Sequence, residues 1–347
     1  TCLILILMSI LLSGCAKALP DSQSASSTPE PFIRSSISPT STDLPPSVTQ
    51  KPPTSTPSPT PEPKPSRTPW PTFTPLPTPD GSGGGILAFV RTLDNGWGIF
   101  LINADGSQQR RLLYHGDALA YPEWSPDGSL IAFHKHQAGE IVSINVMDAD
   151  GRTEQRLTQT DHYDSAPYWS PDGTQIVFTR DGDIWVMNAD GSDQRLIMDD
   201  PLLSNGAEWS PDSKSIVFES SRDGDTEIYV MDADGGNILQ LTDNDTEDWW
   251  PTWSPDGSQI AFMSQLDGDW EIYVMNAQGG ELKQLTETSA DDRGPAWSPD
   301  GTRIAFVSNR ITGILHDTEI FIMNADGSDQ HPICEMPGFE WGVDWKP

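Results

Sequence analysis

From residue 86 onward, short apolar runs alternate with polar turns on a fixed period. One unit reads Trp-Ser-Pro-Asp-Gly, then an apolar triplet such as Ile131-Ala132-Phe133, then a polar loop. A second run follows and closes on an Asp-Gly turn. The second run is written almost identically three times, as EIYVMDADG from Glu227, EIYVMNAQG from Glu271 and EIFIMNADG from Glu319. The anchoring tryptophans are Trp124, Trp169, Trp209, Trp253, Trp297 and Trp345, spaced by 45, 40, 44, 44 and 48 residues. Runs that are apolar at both parities predict strands buried on both faces. The Asp-Gly pairs supply the positive φ that tight hairpins need. A period of this length built from strands and turns predicts propeller blades, each presenting the same packing surface to the next.

The ends of the repeat predict how the ring closes. The first unit begins at its second strand, Ile86-Leu87-Ala88-Phe89-Val90, with no Trp strand before it. The last unit stops at its Trp, in Gly342 to Pro347. The C-terminal strand is therefore expected to supply the missing first strand of blade one, giving an all-β, six-bladed propeller over residues 86–347. Closure of this kind removes exposed sheet edges.

The first 85 residues are different material. Residues 3–12 form an apolar run too short to span a bilayer, and Leu12-Ser13-Gly14-Cys15 follows it. That tetrad resembles the lipobox of bacterial lipoproteins, which implies a signal peptide over residues 1–14 and a diacylglyceryl group on Cys15. Thr1 opens the chain with neither Met nor a basic stretch, so the start of the signal is expected upstream. Between Pro20 and Pro79 stand 18 of the 31 prolines, with Ser and Thr between them. Proline fixes φ and removes backbone donors, so residues 15–85 are expected to form a disordered linker with polyproline II bias. Lipid, stalk and head in that order describe an extracytoplasmic protein of the cell envelope, touching a membrane only through its anchor.

The net charge of −31 belongs to the head, because the first 85 residues carry five basic and five acidic side chains. Such a surface repels nucleic acid and suits cations or basic partners. Of three cysteines, Cys2 lies in the signal and Cys15 takes the lipid, which leaves Cys334 alone without an internal disulfide. No Gly-x-Ser-x-Gly nucleophile elbow is present.

The phrase WSPDG, followed by IAF and EIYVMNADG, resembles the propeller of the TolB family and, more distantly, the propellers attached to dipeptidyl peptidase IV-type enzymes. The resemblance covers residues 86–347. Five of six WSPDG copies are near-complete, with Ser213 in place of Gly in the third. It implies a monomeric propeller head that binds an envelope protein or a cell-wall glycan without catalysis. Some TolB-like propellers are similar to oligosaccharide lyases that hold a divalent metal with histidines in the channel. That alternative requires several histidines to converge, and only His162 stands near the channel strands in sequence.

Candidate site residues fall in one column, five residues before each Trp: Leu119, Asp164, Ser204, Asp248, Asp292 and Glu340. The first strand of each blade lines a propeller's channel, so four carboxylates are expected at one channel mouth. Crowded carboxylates raise one another's pKa unless a cation intervenes. Arg293 is the internal counter-charge, and a metal or a partner's Lys or Arg is the external one. Trp249, Trp250 and Trp341, with Tyr121, His162, Tyr163 and Phe339, are expected around the same mouth, either exposed for binding or packed between blades. The Asp of each WSPDG is read as a turn device. Two further metal readings stay open: Ca²⁺ at the Asp-Gly-Asp loops 181–183, 223–225 and 267–269, and a transition metal at His134 and His136. No cofactor is otherwise called for.

Overall fold

A computed structural model describes residues 84–347, apart from 137–140, 160, 201–203, 312, 314–316 and 335–337. The signal, Cys15 and the stalk lie outside the described residues. The described residues form six four-stranded antiparallel sheets. Their innermost strands are Leu119–Trp124, Asp164–Trp169, Ser204–Trp209, Asp248–Trp253, Asp292–Trp297 and Glu340–Trp345. The last of these pairs with Ile86–Leu93, Leu87 opposite Trp345 and Arg91 opposite Glu340. The C-terminal strand thus completes the first blade, as the broken repeat predicts.

The core sits between blades rather than within one. Val217 and Ile228 of the fourth blade form one cluster with Trp253, Ile260, Phe262 and Tyr273 of the fifth. The Phe of each apolar triplet (Phe89, Phe133, Phe178, Phe218, Phe262, Phe306) is fully buried. Each such ring contributes about 1.5–3 kcal/mol relative to exposure. This is the physical reason for the repeated sequence: every blade is both ridge and groove for its neighbours.

The WSPDG turns are held by their Asp. Asp256 Oδ1 accepts from Ser254 Oγ at 2.7 Å and from the Ser258 amide at 3.0 Å. Ser254 Oγ in turn accepts from the Gln259 amide at 2.9 Å. Asp127, Asp172, Asp212 and Asp300 repeat the arrangement. The fourth position of the turn is left-handed, with φ 63–70° at glycine and 60° at Ser213.

Each innermost strand also carries a bulge. Trp249 faces Met263 and Thr252 faces Ala261, so one extra residue is inserted between them. The other five innermost strands do the same. The bulged residue is left-handed in all six: Tyr121, Ala166, Gly206, Trp250, Gly294 and Gly342 have φ between 47 and 59°. Glycine adopts this conformation at no steric cost. Tyr, Ala and Trp do not, so three blades hold strained backbone on the axis.

Candidate functional site

The bulges decide what faces the axis. Two residues beyond each bulge, and one before each Trp, stand Glu123, Tyr168, Glu208, Thr252, Ala296 and Asp344, all lining an axial cavity of about 400 Å³. Its rim carries the proline two residues after each Trp: Pro126, Pro171, Pro211, Pro255 and Pro299 of the WSP turns, and Pro347. At the other end Tyr121 and Trp250 meet edge to face, ring centroids 5.5 Å apart. They come from the second and fifth blades, which are opposite in a ring of six, so the contact spans the axis. Trp341 and His134 pack against Tyr121 at 5.4 and 5.1 Å. The result is an acidic cavity walled by Trp and Pro, with an aromatic cluster across one end.

Three carboxyl groups share this cavity. Asp344 Oδ2 accepts the Trp124 amide at 2.7 Å, and Glu208 Oε1 accepts the Trp253 amide at 3.0 Å. Each therefore also ties one innermost strand to the next. Burial pushes Glu208 up to about 8 and Asp344 up to about 7. Burial, with Asp344 and Glu208 adding repulsion, holds Glu123 well above the usual carboxylate range. Glu123 and Asp344 keep some surface exposure, but that surface faces a cavity walled by protein, so burial still governs their charge. Burial first, then Glu208, raises the Tyr168 hydroxyl. Such a cavity carries protons near neutral pH and gives them up to an incoming positive charge.

The column five residues before each Trp lies elsewhere. Asp164, Asp248, Asp292 and Glu340 are at most 1% exposed, and each is engaged at its own blade or seam. Asp164 takes both Arg180 Nε at 2.6 Å and Nη2 at 3.0 Å. Asp292 takes Arg310 at 2.5 Å, and Arg91 pairs with Glu340. Asp248 accepts from Asn244 at 2.8 Å and shares a carboxyl–carboxyl hydrogen bond with Glu227 of the preceding blade. These carboxylates do not crowd one mouth. The bulge between the two columns turns the first into the seam and the second toward the axis.

Arg293 is likewise not their counter-charge: it pairs with Asp291 at 2.9 Å and lies over Trp270. Of the predicted aromatics, Tyr121, Trp250, Trp341 and Phe339 come together near the axis. Trp249 instead packs on Trp270 and donates to Glu247 at 2.9 Å. His162 is exposed and bonded to Asp181 at 2.5 Å.

Two groups of three side chains have ligand atoms close enough to share a metal among the described residues, and neither contains a histidine. In one, Glu319, Cys334 and Glu340, the Arg91 guanidinium already bonds Glu340 and reaches Cys334 Sγ at 3.0 Å. Burial raises the thiol pKa there, so this is a buried ion pair with an unreactive Cys. The other is Asp267, Asp269 and Glu271. His134 is buried against Tyr121, and burial lowers it to about 3, which keeps it neutral.

The strand order, the bulged inner strands and the axial cavity define a six-bladed β-propeller with a ligand-sized acidic channel. The chain belongs to the TolB beta propeller domain family, whose sequence profile matches residues 66–182, 166–250 and 247–339. No curated protein sequence matches the chain. Among solved structures, TolB from Acinetobacter baumannii is 24% identical with a TM-score of 0.68, covering 76% of this chain and 67% of its own. A putative TolB from Agrobacterium tumefaciens is 22% identical with a TM-score of 0.62, covering 76% of this chain and all of its own. An oligogalacturonate lyase in complex with manganese is 17% identical with a TM-score of 0.51, covering 72% and 74%.

Proposed function

We propose that this protein is a non-catalytic binding module of the cell envelope, anchored outside the cytoplasm by a lipid on Cys15. Its partner is an envelope protein that inserts a positively charged segment into the axial cavity; a cell-wall glycan with cationic groups is the alternative ligand. The observation that carries the reading is the convergence of Glu123, Glu208 and Asp344 inside a rim of Trp and Pro. Cationic side chains satisfy the carboxyls, and the apolar rim supplies contact area. The acidic head, net −31, steers such a partner toward itself. The family resemblance supports a binding role, since propellers present ligand sites at the ends of their channels.

The test is site-specific photo-crosslinking in cells. A crosslinker at Pro255 on the rim is expected to capture a partner that one at Leu239, exposed on an outer strand, does not. Glu208→Gln with Asp344→Asn is expected to abolish the Pro255 product. Equal products from both positions, or a product indifferent to the double variant, would remove the cavity from the function.

A further inference from the structure

Four buried carboxylates of this chain are each given an arginine: Asp164 by Arg180, Asp200 by Arg222, Asp292 by Arg310 and Glu340 by Arg91. The carboxyls of the axial cavity are given none. They come from three blades, Asp344 from the first, Glu123 from the second and Glu208 from the fourth. Among the described residues no Lys, Arg or His lines the cavity with them. Lys346, two residues beyond Asp344, lies over the Trp124 ring instead, Nζ 5.0 Å from its centroid.

The three carboxyls are not alike. Glu208 is satisfied from within, accepting from the Trp253 amide and from the Thr252 and Tyr168 hydroxyls. Asp344 accepts from the Trp124 and Trp345 amides and shares a carboxyl–carboxyl hydrogen bond with Glu123. Such a bond exists only when one of the two carboxyls is protonated, so a proton resides between them. Glu227 with Asp248 and Glu271 with Asp292 share bonds of the same kind, but neither pair lines the cavity. Glu123 and Asp344, both half-buried, hold theirs at the wall of a space of about 400 Å³. Glu208 and Tyr168 are the titratable groups that face the pair, and Thr252 and Ala296 complete the ring.

We propose that the Glu123–Asp344 pair is an exchange seat that takes the side-chain ammonium of a partner's lysine and releases the shared proton to solvent. This rests on the reading of the axial cavity as the partner-binding site. The lysine enters past the proline rim, because Tyr121 and Trp250 meet across the other end. What the backbone already occupies selects lysine over arginine. A guanidinium fork binds both oxygens of one carboxylate. Asp344 Oδ2 and Glu208 Oε1 already accept strand amides, so neither presents a free edge to a fork. An ammonium takes single oxygens from separate residues, and the Trp and Pro wall covers the methylenes behind it. Distance disfavours a bare metal ion, since the axial carboxyls are not among the described groups of three whose ligand atoms all lie within 4.8 Å of one another. The exchange is electroneutral: one proton leaves as one cation arrives.

The test is calorimetric titration of the full chain with Nα-acetyl-lysine methylamide in two buffers of unlike ionisation enthalpy. About one proton released per ligand bound is expected at pH 6, with a dissociation constant that falls about tenfold from pH 5 to pH 6. The arginine analogue is expected to bind at least tenfold more weakly. Glu123→Gln with Asp344→Asn mimics the protonated pair, and is expected to abolish proton release and weaken binding at least tenfold. Asp344→Asn alone is expected to weaken binding as much, and serves should the double variant fold poorly. Glu271→Gln, which alters a pair away from the cavity, is expected to bind and release as the parent does. Binding without proton release, release that survives the double variant, or equal binding of the arginine analogue overturns the proposal. A specific crosslink at Pro255 with no binding of the lysine compound removes this inference and leaves the partner-binding reading standing. Lysine binding with proton release but no crosslink does the reverse.

Discussion

Tyr121 and Trp250 touch across the propeller axis, each on a left-handed backbone with φ of 49° and 54°. Three other blades place glycine at the same bulge. The Trp250 ring lies over one of them: a Cβ on Gly294 would stand 3.1 Å from a ring carbon. Trp250→Gly therefore removes strain together with packing. An edge-to-face aromatic pair contributes about 0.5–1.5 kcal/mol beyond its burial. The left-handed conformation costs a non-glycine residue about 1–2 kcal/mol. The net expectation is a loss of only about 1–2 kcal/mol in urea unfolding, small for a Trp truncation. A loss of 4 kcal/mol or more would mean that the cross-axis contact holds the ring together.

Asp164 and Arg180 make a two-pronged pair at 2.6 and 3.0 Å, with both side chains nearly out of water. Arg180 also stacks on Phe178 and Trp185. Breaking a buried pair leaves an uncompensated charge and costs about 3–5 kcal/mol. Arg180→Met is expected to cost that much. Adding Asp164→Leu is expected to restore most of it, since a buried pair replaced by apolar groups is often close to neutral. Denaturant titration of the two singles and the double completes the cycle. A double variant no better than Arg180→Met would show that Asp164 has some role other than serving this arginine.

The blade count, the strand positions and the closure by the last strand were legible because every packed face obeys the same rule in each copy. The site was less so, and the bulge is the reason. In a regular strand, residues five and one before the Trp share a face. The extra residue at Tyr121, Trp250 and their equivalents reverses that parity. Asp248 then points into the seam and Thr252 toward the axis, and likewise Glu340 and Asp344 in the first blade. Gly206, Gly294 and Gly342, each three residues before a Trp, were the available signal, since glycine inside a strand marks a bulge. Tyr121, Ala166 and Trp250 hid it in the other three blades. The Arg180, Arg310 and Arg91 partners were invisible for a different reason. They come from the neighbouring strand or, for Arg310, the turn just beyond it, and the pairing register of adjacent strands decides which side chains meet.

Ser213 occupies the left-handed position that glycine fills in the other WSPDG turns, with φ 60°. Ser213→Gly relieves the steric cost of that conformation but adds freedom to the unfolded chain, and the two partly cancel. The net gain is expected to be roughly 0.5 kcal/mol, a rise of roughly 1–2 °C in melting temperature for a domain of this size. Differential scanning calorimetry resolves such a shift. A lower melting temperature would mean that the serine hydroxyl stabilises the turn more than the strain opposes it.

The pH dependence of stability follows from where the buried carboxyls stand. Burial raises Glu227 to about 7 and Glu271 to about 8 at the seams, and Glu208 to about 8 and Asp344 to about 7 on the axis. Each lies above its unfolded value, so the folded state binds more protons than the unfolded chain. A group of this kind contributes stability that is fully present below its unfolded pKa and is lost as pH rises through the folded one. The lowered carboxyls act oppositely and at lower pH: Asp212 and Asp300 sit at about 2 through hydrogen bonds with Lys214 and with Ser298, respectively. Both are on exposed turns, so their effect is small and confined to acid. The melting temperature is therefore expected to fall from pH 5 to pH 8 at constant ionic strength in the presence of a chelator. Glu271→Gln mimics the protonated form and is expected to flatten part of that slope without lowering the value at pH 5. A melting temperature that rises between pH 5 and pH 8 would contradict the protonated state of these pairs.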